Sequence, residues 1–194
     1  TLIHTRDFMW RLGLNLTHYK NVVTDLPLKD MPVSGVHKLA VGRSVYDFYM
    51  KKWAGVDPEN GDPLWYKNVK DANNKITGRT TTNDYAQADY YYTGKSSLPK
   101  VYGGFNTAFS YKGFELSTIF AYSIGNYIVD RDVTMLWHNG SSTGRAWSTE
   151  ILNRWTPENR YTDVPALKTV SNSWNANSTR NLFNNSFLRM KNIT

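Results

Sequence analysis

Tryptophan and tyrosine are the residues of this sequence best suited to bind a ligand. The 194 residues include 7 Trp and 13 Tyr, and aromatic residues make up 14% of the chain. Aromatic rings pack against sugar rings and peptide groups, and the polar tips of Trp and Tyr form hydrogen bonds. The candidates for substrate contact are Trp53, Trp65, Trp137 and Trp147. For each of them the alternative is packing inside a loop core.

No group of residues in the sequence is typical of an enzyme. The four histidines are scattered without the spacing of metal ligands, and the absence of cysteine excludes thiol chemistry and disulfide bonds. A glycine-rich phosphate loop, a nucleophile elbow and the order of a catalytic triad are all missing. We therefore predict no enzyme activity, no catalytic residues, no metal site and no cofactor.

One acidic turn bears a faint similarity to a calcium-binding loop. Asp57, Glu59 and Asp62 lie close together around Gly61, and carboxylate oxygens are ligands that calcium prefers. The spacing of a calcium loop and its distal glutamate are absent, however, and Asn60-Gly61 is a strong signal for a hairpin turn. A plain turn is the favoured interpretation, with calcium as a weakly supported alternative.

The charge of the chain does not predict a nucleic-acid partner. The net charge is +7, from 23 basic and 16 acidic residues. The basic residues are scattered, and no run is longer than Lys51-Lys52, whereas a nucleic-acid interface would gather them on one element. No stretch approaches the length of about 18 apolar residues that a transmembrane helix requires.

Strands with a period of two are the elements expected to position the aromatic residues. Between Phe8 and Leu16 every second residue is apolar, which predicts a strand with one apolar face. Residues 45–56 and 64–69 predict two further strands, joined by a turn at 57–63. The polar residues 70–97 predict a long loop with little core of its own.

The clearest feature is a long β-hairpin at about residues 101–124. A two-residue turn at Lys112-Gly113 aligns two mainly apolar sets on one face, through the pairs Tyr111 with Phe114, Phe109 with Leu116, Phe105 with Phe120, and Gly103 with Tyr122. A slip of one residue would place these sets on opposite faces, so the register is strongly determined. A large aromatic residue opposite a strand glycine also compensates for the missing side chain.

The length of this hairpin favours a membrane. Each strand alternates for about eleven residues, as a tilted membrane strand requires, whereas strands of globular proteins have about five or six. The residues predicted to face lipid are Phe105, Phe109, Leu116 and Phe120. A short turn between long flanking loops also fits outer-membrane barrels, whose periplasmic turns are short and extracellular loops long.

The second long loop, at about 126–185, is predicted to contain one short helix. Apolar residues at helical spacing lie between a candidate cap and a proline, in the order Ser142 or Thr143, Trp147, Ile151, Trp155 and Pro157. The segment 187–194 begins a further strand. Both ends have the character of strands, so we expect residues 1–194 to be part of a longer chain.

Four segments, taken together and in this order, resemble one family. They are GRSVYDFYMKKWAGVDPENGDPLWY (42–66), LPKVYGGFNTAFSYKGFELSTIFAYSIGN (98–126), EILNRWTPENRYTDVP (150–165) and STRNLFNNSFLRMKNIT (178–194). From about residue 8 onward the chain resembles the C-terminal part of the barrel of SusC/RagA-type TonB-linked outer-membrane proteins, also called TonB-dependent receptors.

The resemblance implies an all-β fold, namely a segment of an antiparallel transmembrane β-barrel with long extracellular loops at about 70–97 and 126–185 and one short loop helix. It implies an outer-membrane transporter that imports oligosaccharides or peptides together with a SusD-like surface lipoprotein. Energy would come from the TonB complex, through a motif of the N-terminal part of such proteins that these residues do not include. The matched motifs are strand, turn and loop residues, so the resemblance supplies no substrate-contacting residue.

A secreted β-sandwich that binds glycans through exposed aromatic residues is the alternative to a transporter. In a sandwich the hairpin residues predicted to face lipid would instead form a dry core between two sheets. Its strands would also be nearer to about six residues long.

Overall fold

The computed structural model describes residues 1–28, 31, 35–138, 140, 144–168 and 173–194. The described residues form twelve strands, one α-helix and three 3-10 helices. The strands are β1 (Ile3–His4), β2 (Phe8–Thr17), β3 (Asp47–Lys51), β4 (Trp53–Val56), β5 (Pro63–Lys70), β6 (Ile76–Thr82), β7 (Tyr90–Ser96), β8 (Val101–Tyr111), β9 (Phe114–Ile124), β10 (Tyr127–Val129), β11 (Leu182–Asn184) and β12 (Phe187–Ile193). The α-helix is α1 (Arg131–Leu136), and the 3-10 helices are Tyr85–Gln87, Thr149–Asn153 and Thr179–Asn181.

The largest sheet is antiparallel, has the strand order β1-β2-β8-β9-β12, and contains the predicted hairpin as β8 and β9. The predicted register is confirmed over its whole length, from Tyr111 opposite Phe114 to Val101 opposite Ile124. Lys112 and Gly113 both have positive φ, 46° and 89°. A two-residue hairpin turn of this kind needs positive φ at both positions, which glycine adopts without a steric cost.

One face of this sheet is apolar across four strands. The face is formed by Phe8, Trp10, Leu12, Leu14, Leu16, Phe105, Phe109, Leu116, Phe120, Leu188 and Met190. Its side chains are not covered by a second sheet, since Leu14 is 68% exposed and Leu188 is 65% exposed. The β-sandwich alternative requires a dry core at these positions and is therefore wrong.

Two local features keep the side chains of the sheet on their proper faces. In β12 the pairing shifts between Met190 and Asn192, and this β-bulge places Ile193 rather than Asn192 opposite Thr118. In β8, Gly103 leaves room for the side chain of Tyr122, whose hydroxyl reaches across the strand and donates to the Asn15 carbonyl at 2.9 Å. The aromatic residue opposite this glycine thus links three strands.

The segment 70–97, predicted to be a long loop with little core of its own, contributes one buried residue, Ala88, but is not without regular structure. This segment contains β6, which pairs with β5, and β7, which pairs with β3. The Thr-rich strand β6 is polar on both faces, and Tyr90–Tyr92 are adjacent aromatic residues, so neither strand shows the apolar alternation on which sequence analysis depends. The predicted strand 45–56 is interrupted at Lys52 and forms β3 and β4.

The loops form a core of their own. Its fully buried members include Met50, Trp65 and Trp174, with Pro63 and Pro165 beside them. The core draws residues from segments far apart in the sequence, so it is closed by long-range contacts rather than by local hairpins.

The predicted loop helix lies elsewhere. The α-helix is α1, where the Asp130 carboxylate accepts a hydrogen bond from the Val133 amide at 3.0 Å and caps the first turn. Around Trp147 and Trp155 only the 3-10 helix Thr149–Asn153 forms. The Trp155 amide instead donates to the Val164 carbonyl at 2.8 Å, which ends the helical path. The predicted caps Ser142 and Thr143 lie outside the described residues. Among the described residues, no helix combines the length and the apolar character needed to cross a membrane.

Candidate functional site

The short helix Thr179–Asn181 brings the chemically interesting loop residues together. The Thr179 hydroxyl accepts a hydrogen bond from the Trp53 amide at 3.0 Å, which fixes the beginning of β4. The Asn181 carbonyl accepts one from the Asp130 amide at 3.2 Å, which fixes the beginning of α1. The side chain between these two anchors, Arg180, therefore points into the space between β4 and α1.

Three tryptophans surround the Arg180 guanidinium. Its central carbon lies 4.1 Å from the ring centre of Trp137, 5.3 Å from that of Trp53 and 5.9 Å from that of Trp174. Such contacts stabilise a cation through the electrons of the ring faces. Removal from water lowers the pKa of Arg180 to about 10, while the charges of Glu150 and Asp163 oppose this change. The buried Nη1 atom has no hydrogen-bond partner among the described residues.

Next to this cluster lies a cavity of about 410 Å³, which we call the tryptophan cavity. It is lined by Trp53, Trp137, Glu150, Asn153, Asp163, Val164, Arg180 and Phe183. Aromatic walls with a few polar groups are typical of ligand sites, because the walls provide contact area and the polar groups fix orientation. Carboxylate, amide and guanidinium groups are all present, so the cavity offers both hydrogen-bond donors and acceptors.

The four predicted tryptophans have three different environments. Trp53 and Trp137 both line the tryptophan cavity. Trp65 is 0% exposed and packs edge-to-face against Trp53 and Tyr85, so its assignment as a substrate contact is corrected to a core residue. Trp147 is 42% exposed but lies outside the cavity, and its indole donates to His138 Nδ1 at 2.8 Å.

The acidic turn uses its carboxylates within the fold. Asp57 accepts a hydrogen bond from the Glu59 amide at 2.9 Å, and Asp62 contacts the Lys168 ammonium at 2.5 Å. Gly61 has φ of 73°, and a side chain there would collide with Ala166 and Trp155. These are the features of a plain packed turn. In the part of the chain that the structure describes, no three metal-ligating side chains come together.

Sequence reasoning missed most of the polar residues of the tryptophan cavity. Arg180 and Phe183 lie within the segment 178–194, and Glu150, Asn153 and Asp163 lie within the segment 150–165, both of which were singled out by resemblance alone. The signal that could have pointed to Arg180 is its position as a single arginine between short polar stretches and aromatic residues. That signal does not indicate which tryptophan the arginine meets.

The chain is similar to receptors and importers of bacterial outer membranes. It is 29% identical over 182 residues to TonB-dependent receptor P26 of Formosa agariphila, a match that covers 85% of this chain and 18% of the relative. It is 24% identical over 213 residues to TonB-dependent receptor P3 of the same organism, and this match covers 99% of this chain and 20% of the relative. No model of a protein family matches the chain.

Solved structures agree with these relatives. The RagAB peptide importer in its closed-closed state has a TM-score of 0.80 and 28% identity, and the match covers 99% of this chain and 21% of that chain. A second structure, of the RagAB peptide transporter, has a TM-score of 0.79 and 29% identity, and the match again covers 99% of this chain and 21% of that chain. These similarities support the interpretation of the chain as a fragment of a SusC/RagA-type TonB-dependent receptor.

Several predictions about this receptor chain are confirmed by that finding. Its antiparallel sheet is a segment of a transmembrane β-barrel, and its place is the bacterial outer membrane. The expectation that it is not an enzyme is confirmed, since its relatives are receptors and importers. The chain spans about a fifth of the length of the relatives that it matches, 18% and 20% of the two curated ones.

Proposed function

We propose that the receptor containing this chain imports oligosaccharides or peptides across the outer membrane, with energy from the TonB complex and with a SusD-like surface lipoprotein as its partner. The observation that carries this proposal is the match of 99% of the chain to the RagAB peptide importer at a TM-score of 0.80. Both the membrane sheet and the loop core take part in that match, because it extends over nearly the whole chain.

In this proposal the apolar face of the sheet contacts lipid, and Phe105, Phe109, Leu116 and Phe120 are its central residues. A strand of eleven residues, at a rise of about 3.4 Å and a tilt of about 45°, spans about 26 Å along the membrane normal. The apolar band of an outer-membrane barrel is about 25 Å tall. The opposite face carries polar residues such as Asn106, Ser110 and Glu115 and would face the barrel interior.

The loops would then contact the substrate. The tryptophan cavity, with Trp53 and Trp137 in its wall, has the size of a site for a small part of a chain molecule. Its aromatic surface can pack against a sugar ring or a peptide side chain, and its polar groups can bind hydroxyl or amide groups.

Peptide is the substrate class that the comparisons favour. The structures named as importers or transporters of peptide are 28% and 29% identical to this chain. The names of the curated relatives state no substrate. Oligosaccharide remains the second candidate because the aromatic walls of the tryptophan cavity suit both.

Uptake by living cells tests the proposal. A strain that lacks the full-length receptor should lose uptake of a fluorescently labelled peptide mixture or of a labelled oligosaccharide mixture, and the full-length gene should restore it. Removal of the TonB-contact segment from the restored receptor should abolish uptake while leaving the amount of receptor in the membrane unchanged. Normal uptake of both mixtures without the receptor would contradict the proposal.

The lipoprotein partner can be tested in the same strain. Two large side chains in the loops, Leu152 and Tyr161, are 77% and 92% exposed and are therefore accessible to a partner. Affinity purification of the full-length receptor should recover a SusD-like lipoprotein in equal amount. Recovery of the receptor without any surface lipoprotein would contradict this part.

A further inference from the structure

A second cavity in the loops differs in character from the tryptophan cavity and shares no lining residue with it. Its volume is about 420 Å³, and we call it the cationic cavity. Its charged lining residues are Lys52 between β3 and β4, Arg79 on β6 and Lys95 on β7. Tyr91, Tyr92 and Tyr127 provide most of its aromatic surface.

The cations of this cavity are not neutralised. The cavity is lined by three basic residues and by no acidic one. Within the described residues, Lys52, Arg79 and Lys95 form no ion pair, whereas Lys168 elsewhere in the loops contacts Asp62 at 2.5 Å. Three like charges around one cavity repel each other, so their gathering there calls for an anion.

Tyrosine rings hold the cations in place. The Lys95 ammonium donates to the Tyr127 hydroxyl at 2.7 Å and lies 4.4 Å from the centre of its ring. The Arg79 guanidinium lies 4.9 Å from the ring centre of Tyr91. Contacts with ring faces position a cation without cancelling its charge, and they leave most of its N–H donors available to a ligand.

The tyrosines themselves are anchored from behind. The Tyr91 hydroxyl donates to the Asn68 side-chain oxygen at 2.8 Å. Burial raises the pKa of Tyr91, and the charge of Asp89 acts in the same direction, so the hydroxyl stays neutral. Asp89 is not part of the cavity lining and accepts a hydrogen bond from the Asn68 amide at 2.6 Å. The charged residues of the lining itself are therefore all basic.

We propose that the cationic cavity binds an anionic carboxylate group carried by the molecule that the receptor imports. The planar fork of Arg79 matches the two oxygens of such a group, and the two lysines add point charges. The adjacent tyrosine faces suit the ring or chain that bears the anion. The inference rests on the proposed import function, because it assigns the anion to the transported molecule; the source is either an acidic sugar or an acidic peptide.

Binding of matched acidic and neutral probes to the full-length receptor tests this inference. One pair is tetragalacturonate and its methyl ester, and the other is the amidated tetrapeptide Ala-Ala-Glu-Ala and its Gln counterpart. Isothermal titration calorimetry in detergent should show that the acid of one pair binds about tenfold more tightly than its neutral partner, as expected for one charge-assisted contact. The pair that shows the preference identifies the source of the anion.

Variants locate the preference in the cavity. Arg79→Gln should remove most of the tenfold difference between the acid and the neutral probe, while Arg79→Lys should retain part of it. Lys75→Gln is the control, because it removes the same charge from an exposed turn outside the cavity. Lys52→Gln provides a second test within the cavity should Arg79→Gln reduce the amount of folded receptor.

Two results would overturn the inference. One is equal binding of the acid and the neutral probe in both pairs, and the other is an equal loss of preference in Arg79→Gln and Lys75→Gln. Cellular uptake separates this inference from the proposed function. Equal binding of acid and neutral probes by the wild-type receptor with intact uptake contradicts only the anion site, whereas acid-selective binding without any uptake contradicts only the import function.

Discussion

The rings of Phe105 and Phe120 stack across the membrane hairpin, with their centres 4.6 Å apart and their planes 13° from parallel. The two residues are direct partners in the register and lie near the middle of β8 and β9. On the same face Trp10 stacks on Phe109 at 5.5 Å. Stacked rings add to the stability of a strand pair beyond the area that they bury, so this pair helps to hold the register.

An arginine at the centre of the apolar face should destabilise the folded receptor. We expect Phe120→Arg to lower the free energy of unfolding by about 2–4 kcal/mol, because a charge near the middle of the bilayer loses its hydration. The measurement is a urea titration of the full-length receptor in lipid vesicles.

The matched control for that variant is Ser117→Arg on the opposite face of the same strand. Ser117 pairs with Ala108 and lies on the polar face, so the added charge would enter the barrel interior, where it stays hydrated. We expect Ser117→Arg to lower the free energy of unfolding by less than half of the amount seen for Phe120→Arg. Equal losses in the two variants would show that the face of Phe120 does not contact lipid.

A methyl group at Gly103 should disturb the contact between β2 and β8. An added Cβ would lie 2.2 Å from the Asn15 carbonyl and 2.9 Å from the Tyr122 hydroxyl, so we expect Gly103→Ala to cost about 1–3 kcal/mol. The measurement is hydrogen exchange of the β2 amides, which should become faster. Gly78→Ala in β6 is the control, since a Cβ there meets nothing within 4 Å. Unchanged exchange in Gly103→Ala would refute the prediction.

The membrane hairpin could be predicted residue by residue because its two faces differ in polarity. A slip of one residue would place Phe105 and Phe109 on the face opposite to Leu116 and Phe120, and the two-residue turn selects one register among those that keep the faces aligned. A local pattern is thus sufficient where one face of a strand contacts an apolar environment.

The loop core could not be predicted in this way. Strand β6 shows no apolar alternation, and its pairing with β5 depends on backbone hydrogen bonds that any residue type can form. The tryptophan cavity combines β4, α1 and the 3-10 helices Thr149–Asn153 and Thr179–Asn181, whose contacts span more than a hundred residues. Trp53 and Trp137, which the sequence analysis named as candidates, line this cavity, but the burial of Trp65 depends on those long-range contacts.

Removal of one wall of the tryptophan cavity should weaken substrate binding. We expect Trp137→Ala to raise the dissociation constant of the imported ligand about tenfold, because buried tryptophans contribute strongly to binding. Calorimetry with the purified full-length receptor measures this change, and the uptake experiment supplies the ligand.

Trp147→Ala is the control for the tryptophan cavity. This substitution removes a tryptophan of the same loop and its hydrogen bond to His138, but Trp147 does not line the cavity. We expect the dissociation constant of the imported ligand for the Trp147→Ala receptor to stay within about twofold of the wild-type value. A larger effect of Trp147→Ala than of Trp137→Ala would place the substrate elsewhere in the loops.

Tyr85 joins several parts of the loop core. Its hydroxyl donates to the Asn177 carbonyl at 2.8 Å, and its ring packs against Trp65 with centres 5.2 Å apart. Its backbone carbonyl accepts a hydrogen bond from the Lys51 ammonium, which also lies 4.1 Å from the centre of the Tyr85 ring. Burial raises the pKa of Tyr85 to about 12, with a smaller contribution from Tyr90.

The raised pKa of Tyr85 predicts a loss of stability in alkaline solution. Below pH 10 the Tyr85 hydroxyl is neutral in both the folded and the unfolded state, so its full contribution to stability is present. Between pH 10 and about 12 the unfolded state loses the proton first, and the free energy of unfolding falls. Tyr85→Phe should be less stable at neutral pH, by about 0.5–1.5 kcal/mol for the lost hydrogen bond, but should show a flatter decline above pH 10. Urea titrations of the full-length receptor, followed by tryptophan fluorescence, measure both effects.

Tyr161→Phe, at a side chain that is 92% exposed, is the control and should keep the wild-type dependence of stability on pH. If the free energy of unfolding of Tyr85→Phe declined above pH 10 as steeply as that of the wild type, the Tyr85 hydroxyl would not be the source of this pH dependence.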